Sequence, residues 1–521
     1  MTGSDLSVKV AVTSLYYNDV TAGDEAGNAI ANMETRPLVC PSAGESRRSS
    51  KFPCVAPHVD PEVTNSKGNT VNKKKAASAA VAAVAMVLPL AACGSSGSKA
   101  ASSPKLTNCT NKIVNKSAPT VSVWAWYPNM PKVVDNFNNS HKDVQVCWTV
   151  AGQGAPEYAK FQTAISANKG APDVIMLEAD QLTGFEIQKA LVDLSNYGGN
   201  NVKKNFSSGA WNDVSQGNSV YAIPVDGGPM AMIYRKDIFD KYGITKPPTT
   251  WAEYEADAQK VKDAGGPPFG DLGSNVPAAL TALMAQKGAV PFTYDLANRQ
   301  KISIKLDDQA TKDVLNYWAG LVKKKLVGTV DQFTTDYISG VVGGKYATYV
   351  SAAWAPGYLS GAGVGKGSEK GQFAVAPLPY WDPSNPSVNW GGSAFAVTTQ
   401  ATDPKLAAEV AKGLYADDAS LTDGWKTQTI FPLNQGVLKS DAFINNKVDF
   451  FNGQTANKDV YIPAENNYKG FNYSPFSVYY YAQLQAEVVK INAEKTTGDQ
   501  AATDLQKTMV QYAKSQGFTV N

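Results

Sequence analysis

Histidine is nearly missing from this chain: there are two, His58 and His141, in 521 residues. So few cannot build a His-rich zinc site or a multi-histidine catalytic centre within one chain. A dominant charge is missing as well, with 48 basic against 46 acidic residues and a formal balance of +2. No broad electropositive surface for a phosphate backbone follows, so nucleic acid is not an expected partner. Cysteine is scarce, at five. Hydrophobic residues, by contrast, make up 43% of the chain and aromatic ones 10%, which argues for a large buried core and against a wholly disordered or fibrous protein. At about 150 residues per domain the length suggests two to four domains, one of them built from discontinuous pieces.

The first ninety-odd residues read as a leader. Lys73, Lys74 and Lys75 precede an apolar, Ala-rich run from Ala76 to Ala92, which ends at Cys93 and turns into Gly94-Ser95-Ser96-Gly97. A positive start, an apolar stretch short for a membrane span, and small residues before a cut form a secretion signal over 71–92, rather than a buried Ala-rich helix. Residues 1–70 lack hydrophobic periodicity and mix Pro, Gly, Ser and Asn, as a disordered or over-extended start does. Val71 is then a candidate start, since a GTG initiation codon is read as Val inside a longer frame. Leu90-Ala91-Ala92-Cys93 resembles the bacterial lipobox, which implies that Cys93 carries lipid and becomes the first mature residue. Residues 93–119 are polar and read as a tether, about 25 residues with a span of roughly 27 Å. Cys40 and Cys54 lie in the leader, so Cys109 and Cys147 remain as one pair in an oxidising compartment, either as a disulfide or as two buried thiols.

From Val121 short apolar strands alternate with amphipathic helices, the pattern of α/β architecture with parallel sheets. Strands are expected at 121–126, 144–150 and 173–177, with helices at 131–138 and 158–168. After the strand 221–224, the run Asp226-Gly227-Gly228-Pro229 reads as a turn-forming break at a lobe boundary, before a further strand at 231–234. Thr250-Trp251-Ala252-Glu253 has capping-box spacing, and Asp403-Pro404 supplies an N-cap with proline in the first turn. A second crossing between lobes is expected at Asn389-Trp390-Gly391-Gly392-Ser393, ahead of a strand at 394–397. Two helices, 476–493 and 501–516, close the chain.

Three segments carry a resemblance. Ala171-Pro172-Asp173 through Asp180 is the first, and Tyr221-Ala222-Ile223-Pro224 through Trp251 the second. Gly344-Lys345-Tyr346 through Trp354, together with Gly391-Gly392-Ser393 through Val397, makes the third. In this order they resemble the carbohydrate-binding branch of the extracellular solute-binding proteins of ABC transporters, the group that contains maltose-binding protein. The resemblance implies a two-lobed, periplasmic-binding-protein-like α/β fold with a hinge and an interlobe ligand cleft, spanning 120–521. Lobe 1 is expected over about 120–225 and 395–430, lobe 2 over about 229–390 and 435–521. It also implies an oligosaccharide ligand, permease subunits as partners, a lipid-anchored monomer at the extracellular face of the cell membrane, and neither cofactor nor metal.

A sugar ring offers an apolar C–H face and a rim of hydroxyls, so its receptor needs flat aromatics and carboxylates or amides. Trp354 falls where the family places a cleft Trp that stacks on sugar, and Asp180 matches a family carboxylate that grips hydroxyls, with Glu178 two residues earlier. Asp226 and Gly228 lie at the first crossover, where glycine lets the backbone approach a ligand. Trp126 and Tyr127 follow the first strand, at the carboxyl edge where ligands of open α/β sheets lie, and serve either stacking or the core. Trp390 is similar; Gln153, Tyr158, Trp381, Phe431 and Tyr473 are secondary candidates. Leu177 replaces an aromatic of the family pattern and Asp226 stands two residues early, so maltose itself is not assumed. Two rivals use the same residue types: a glycoside hydrolase with two carboxylates across a glycosidic bond, and a receptor of this fold for a non-sugar solute such as a polyamine.

Overall fold

Valine, isoleucine, methionine and leucine fill Val174–Leu177 without a polar break, and the strand they form is buried on both faces. The computed structural model describes residues 109–521 apart from 128–129, 296–297, 416–417 and 428–429. The leader with Cys40 and Cys54, the lipidation candidate Cys93 and the tether as far as residue 108 lie outside the described residues.

Thr120–Trp124 pairs in parallel with Gln145–Thr149 on one side and with Val174–Glu178 on the other. The expected tether is corrected at its end, because residues 109–115 are pinned to this sheet. Cys109 is disulfide-bonded to Cys147, the Thr110 amide donates to the Trp148 carbonyl at 2.8 Å, and Asn111 Oδ1 accepts the Trp148 amide at 2.7 Å. Gln145 Oε1 accepts the amides of Val114 and Asn115. Among the described residues the chain is thus tied to the sheet from Cys109, eleven residues before the first strand.

Two long strands run past the point where a break was expected. Ala222–Arg235 is one strand of 14 residues, continuous through Asp226-Gly227-Gly228-Pro229. It pairs antiparallel with Asn389–Val397, and farther along with Thr348–Ala352 and Phe373–Pro377. Asn389–Val397 in turn pairs antiparallel with Val174–Glu178. The sheet is thus a single eight-stranded mixed sheet, not a set of parallel ones. The glycines explain the missing break: a methyl group on Gly228 would collide with the Trp390 carbonyl oxygen, so two strands cross there only because one lacks a side chain. Short strand Phe431–Pro432 adds a third passage against Gly227 and Asp226.

Along the second half of Ala222–Arg235, Met230 and Met232 enter one core while Ala231 and Ile233 enter the other, as the period of two requires. The first core holds Val123, Ile175 and Phe395; the second holds Trp251, Tyr254, Phe292 and Leu484. Phe443, Phe451 and Tyr461 join the first core, although 435–521 was expected in the second lobe; the chain enters the second core with Tyr480. Helix Trp251–Asp263 begins with the expected reciprocal cap, Thr250 accepting the Glu253 amide while the Glu253 carboxylate takes the Thr250 amide. Asp403 caps Pro404–Gly413, and Ser477–Asn492 and Gly498–Ser515 close the second core. Among the described residues no helix is long and apolar enough to cross a membrane.

Candidate functional site

The parallel strand Val174–Glu178 ends in acid. Glu178 holds the N-cap position of the helix Ala179–Ile187 without a side-chain cap, and Asp180 lies in its first turn, so both residues stand at the carboxyl edge of the sheet. They open onto a cavity of about 550 Å³, within the range of roughly 300–1,000 Å³ usual for small-molecule sites. Its first wall comes from Glu178, Asp180, Asn212 and Gln216. The opposite wall is a small-residue face, Ala278, Thr281, Ala282 and Ala285, of the helix Pro277–Lys287. Between them run Asn389, Trp390 and Gly391 of the crossing strand, and residues 468–473 complete the lining with Tyr473 and Tyr481.

Phenols hold the acids. Tyr158 donates to Glu178 Oε2 at 2.8 Å, and Tyr481 hydrogen-bonds Asp180. Burial pushes the Glu178 carboxyl up to about 8, with the Asp180 charge adding to the effect. Asp180 is raised as well by burial, against hydrogen bonds from Gln181 and Tyr481 that favour its charged form.

The loop 468–473 is clamped from behind. Asp213 accepts the Tyr468 hydroxyl and, at 2.9 Å, the Phe471 amide. Burial still raises Asp213 to about 8. Gly209 and Gly470 permit this approach, since a side chain on either would strike the Tyr468 carbonyl or Asn212. Across the cavity's margin the lobes touch: Ser477 Oγ donates to the Asp180 carbonyl at 2.6 Å, Tyr294 donates to Thr183 Oγ1 at 3.0 Å, and Gln216 Nε2 donates to the Tyr294 carbonyl at 3.2 Å.

Of the candidate residues, Glu178, Asp180, Trp390 and, among the secondary ones, Tyr473 line this cavity. The others stand elsewhere. Trp354 sits behind Trp390, its indole N–H donating to the Trp390 carbonyl and its ring packed against Phe333. Tyr127 is buried among Phe395 and Tyr415, which makes it a core residue. Its hydroxyl reaches Asp226 and Ser393, and Ser393 donates both hydroxyl and amide to Asp226 Oδ1. Asp226 is thus a brace between the crossing strands, raised to about 6 by burial. Gly228 serves the strand crossing, and Trp126 packs edge-on against Tyr158, one layer behind Glu178. Tyr158 supports the site from outside the lining; Gln153, Trp381 and Phe431 also lie outside it.

Sequence reasoning passed over Asn212, Gln216, Asn389 and Tyr481. Asn389 alone carried a signal, as the residue before Trp390 at the second crossing. Among the described residues no group of three or more His, Cys, Asp or Glu is placed to hold a metal ion.

The profile of the bacterial extracellular solute-binding proteins matches residues 125–420. An ABC transporter-associated binding protein from B. animalis subsp. lactis Bl-04, solved in complex with β-1,6-galactobiose, superposes with a TM-score of 0.64 at 26% identity, over 78% of this chain and 100% of that one. The galacto-N-biose/lacto-N-biose I-binding protein of Bifidobacterium longum shares the two-lobed fold, with a TM-score of 0.68 at 23% identity over 78% and 99% of the two chains. An arabinooligosaccharide-binding protein of Bacillus subtilis is 23% identical over 339 residues, 62% of this chain and 70% of its own. A binding protein of Brucella abortus is 33% identical over 111 residues, 21% of this chain, and the match spans only 27% of that relative's length.

Proposed function

Because the chain belongs to the bacterial extracellular solute-binding protein family, we propose that it captures an oligosaccharide between its lobes and presents it to the permease of an ABC transporter. The observation that carries the reading is the cavity itself: Trp390, the three tyrosines Tyr468, Tyr473 and Tyr481, and the carboxyl pair Glu178 and Asp180 line one space of about 550 Å³ between two cores. Stacking on one indole removes roughly 60 Å² of sugar from water, worth about 1.5 kcal/mol at about 25 cal/mol per Å². Micromolar capture corresponds to about −8 kcal/mol, so one stack and several hydrogen bonds supply it after the cost of association. The protein works as a monomer, held at the outer surface of the cell membrane by lipid on Cys93. The tether is then residues 94–108, shorter than the sequence suggested. Metabolic labelling with a palmitate analogue tests the anchor: Cys93→Ser should abolish the label.

Cleavage of the sugar is the second reading, and Glu178 gives it one argument that the sequence did not, a buried acid raised to about 8. Geometry favours binding. Glu178 and Asp180 are the only carboxyls of the lining among the described residues, and both stand at the start of one helix, whereas a hydrolase sets its two carboxyls on either side of the glycosidic bond. Titration calorimetry against neutral oligosaccharides, with product analysis of the same samples, tests both readings. Saturable heat without new reducing ends is expected, and turnover lost in Asp180→Asn would reverse the order. Heat with putrescine and none with any saccharide would select the polyamine receptor.

A further inference from the structure

One helix beside the cavity belongs to the first lobe on one face and meets the second lobe on another. In Ala179–Ile187 the side chains of Leu182 and Phe185 enter the first core. Asp180, Thr183, Gly184 and Ile187 are spaced i, i+3, i+4 and i+7, which sets them along a single face. Each of the four meets the second lobe. Ser477, first residue of the second-core helix Ser477–Asn492, donates to the Asp180 carbonyl at 2.6 Å. The Tyr294 hydroxyl donates to Thr183 Oγ1 at 3.0 Å. Gly184 lies against the turn ahead of that helix, where a methyl group on it would stand 3.0 Å from the Pro475 carbonyl oxygen, tighter than an ordinary contact. Ile187 packs against the second core.

Tyr294 holds the first lobe twice. It lies in the strand Phe292–Asp295, anchored in the second core by Phe292. Besides the bond from its hydroxyl, its carbonyl accepts Gln216 Nε2 at 3.2 Å. The contacts thus join the two first-lobe segments that carry Asp180 and Gln216 into the cavity wall, although Thr183, Gly184, Ile187 and Tyr294 are themselves outside the lining. A bond made only while the lobes are shut favours the shut form, and so slows escape of a ligand that it never touches.

Resting on the saccharide-receptor reading, we propose that this face of Ala179–Ile187 is the seam on which the lobes shut, with Thr183, Gly184 and Tyr294 as positioning residues that hold the closed form around the sugar. Glycine at 184 lets the seam come together. With the lobes apart the helix accepts a methyl group there and gains from it, alanine being the better helix former. Gly184→Ala therefore loosens the grip on sugar without weakening the empty protein.

The test is stopped-flow kinetics with titration calorimetry on the full-length protein, using a series of neutral di- and trisaccharides that includes β-1,6-galactobiose and arabinobiose. For the tightest of them, Gly184→Ala should raise the dissociation rate by about tenfold or more, as a change confined to the closed form does, while the melting temperature of the empty protein holds or rises. Tyr294→Phe should raise that rate roughly two- to tenfold, the range for one lost hydrogen bond. Thr183→Val should repeat the loss, the two changes together should cost no more than either alone, and Thr183→Ser should restore the native rate, which a merely structural role would not produce. Native dissociation rates in both Gly184→Ala and Tyr294→Phe, or a melting temperature that falls in empty Gly184→Ala, overturn the inference and leave the receptor reading standing. Absence of heat with every sugar overturns the receptor reading, and the inference with it.

Discussion

The indole of Trp354 stands edge-on to that of Trp390, ring centroids 5.0 Å apart at 77°, and donates its N–H to the Trp390 carbonyl at 3.1 Å. Trp390 belongs to the lining of the cavity, and Trp354 does not. Trp390→Ala should therefore weaken saccharide binding by about 1.5 kcal/mol, the loss of one stacked face. Trp354→Phe, which keeps the ring but not the N–H, should cost less than half as much. Calorimetry on both variants measures the order, and a larger loss at Trp354 would restore it as the stacking residue.

Gly228 and Gly320 predict opposite outcomes for the same substitution. A methyl group at Gly228 meets the Trp390 carbonyl where the strands cross, so Gly228→Ala should lower the melting temperature steeply or prevent folding. Gly320 lies inside the helix Gln309–Lys323 with open space around its Cα, and Gly320→Ala should stabilise by about 0.5–1 kcal/mol. Thermal melts of the two variants read both signs.

Glu157 is fully buried with neither carboxyl oxygen hydrogen-bonded, and burial pushes it up to about 9. Its folded state thus holds a proton that the unfolded chain loses near pH 4.5. Stability from this group is complete below that pH and falls as pH rises towards 9, by about 1.4 kcal/mol per unit. Glu157→Gln removes the dependence, so the variant should gain on the native protein by about 3 kcal/mol at pH 7 and show almost no gain at pH 4. Denaturant melts at both values check it, and equal gains at both would contradict the assignment.

Reducing the disulfide frees the chain ahead of its first strand. Cys109 and Cys147 are 38 residues apart, a loop whose closure is worth about 4 kcal/mol in the chain-entropy account. Cys109→Ser with Cys147→Ser should lower stability by up to that amount and expose residues 109–119 to protease, read by limited proteolysis.

What the sequence made legible was local. The Thr250–Glu253 cap and the Asp403–Pro404 helix start depend on residues within three positions of one another, and both appear as expected. Glu178 and Asp180 came to notice through the resemblance, as a family carboxylate and its neighbour after an apolar strand, and both belong to the cavity lining. The rest depends on distance in the chain. Asp226 looked like a ligand group until Ser393, 167 residues away, took its carboxylate. Asn389 and Gln216 are likewise set from afar, by hydrogen bonds to Glu465 and to the Tyr294 carbonyl. The expected break at Asp226–Pro229 failed for a related reason: glycines that permit a turn also permit two strands to cross, and only the partner strand decides between them.

The central claim is that the cavity between the two cores holds an oligosaccharide. Titration calorimetry with a series of neutral di- and trisaccharides, run on the native protein and on Trp390→Ala, tests it most directly. Saturable one-to-one binding that weakens about tenfold in the variant is the expected result. Equal affinity in both proteins, or no heat with any sugar while a non-sugar solute binds, would contradict it.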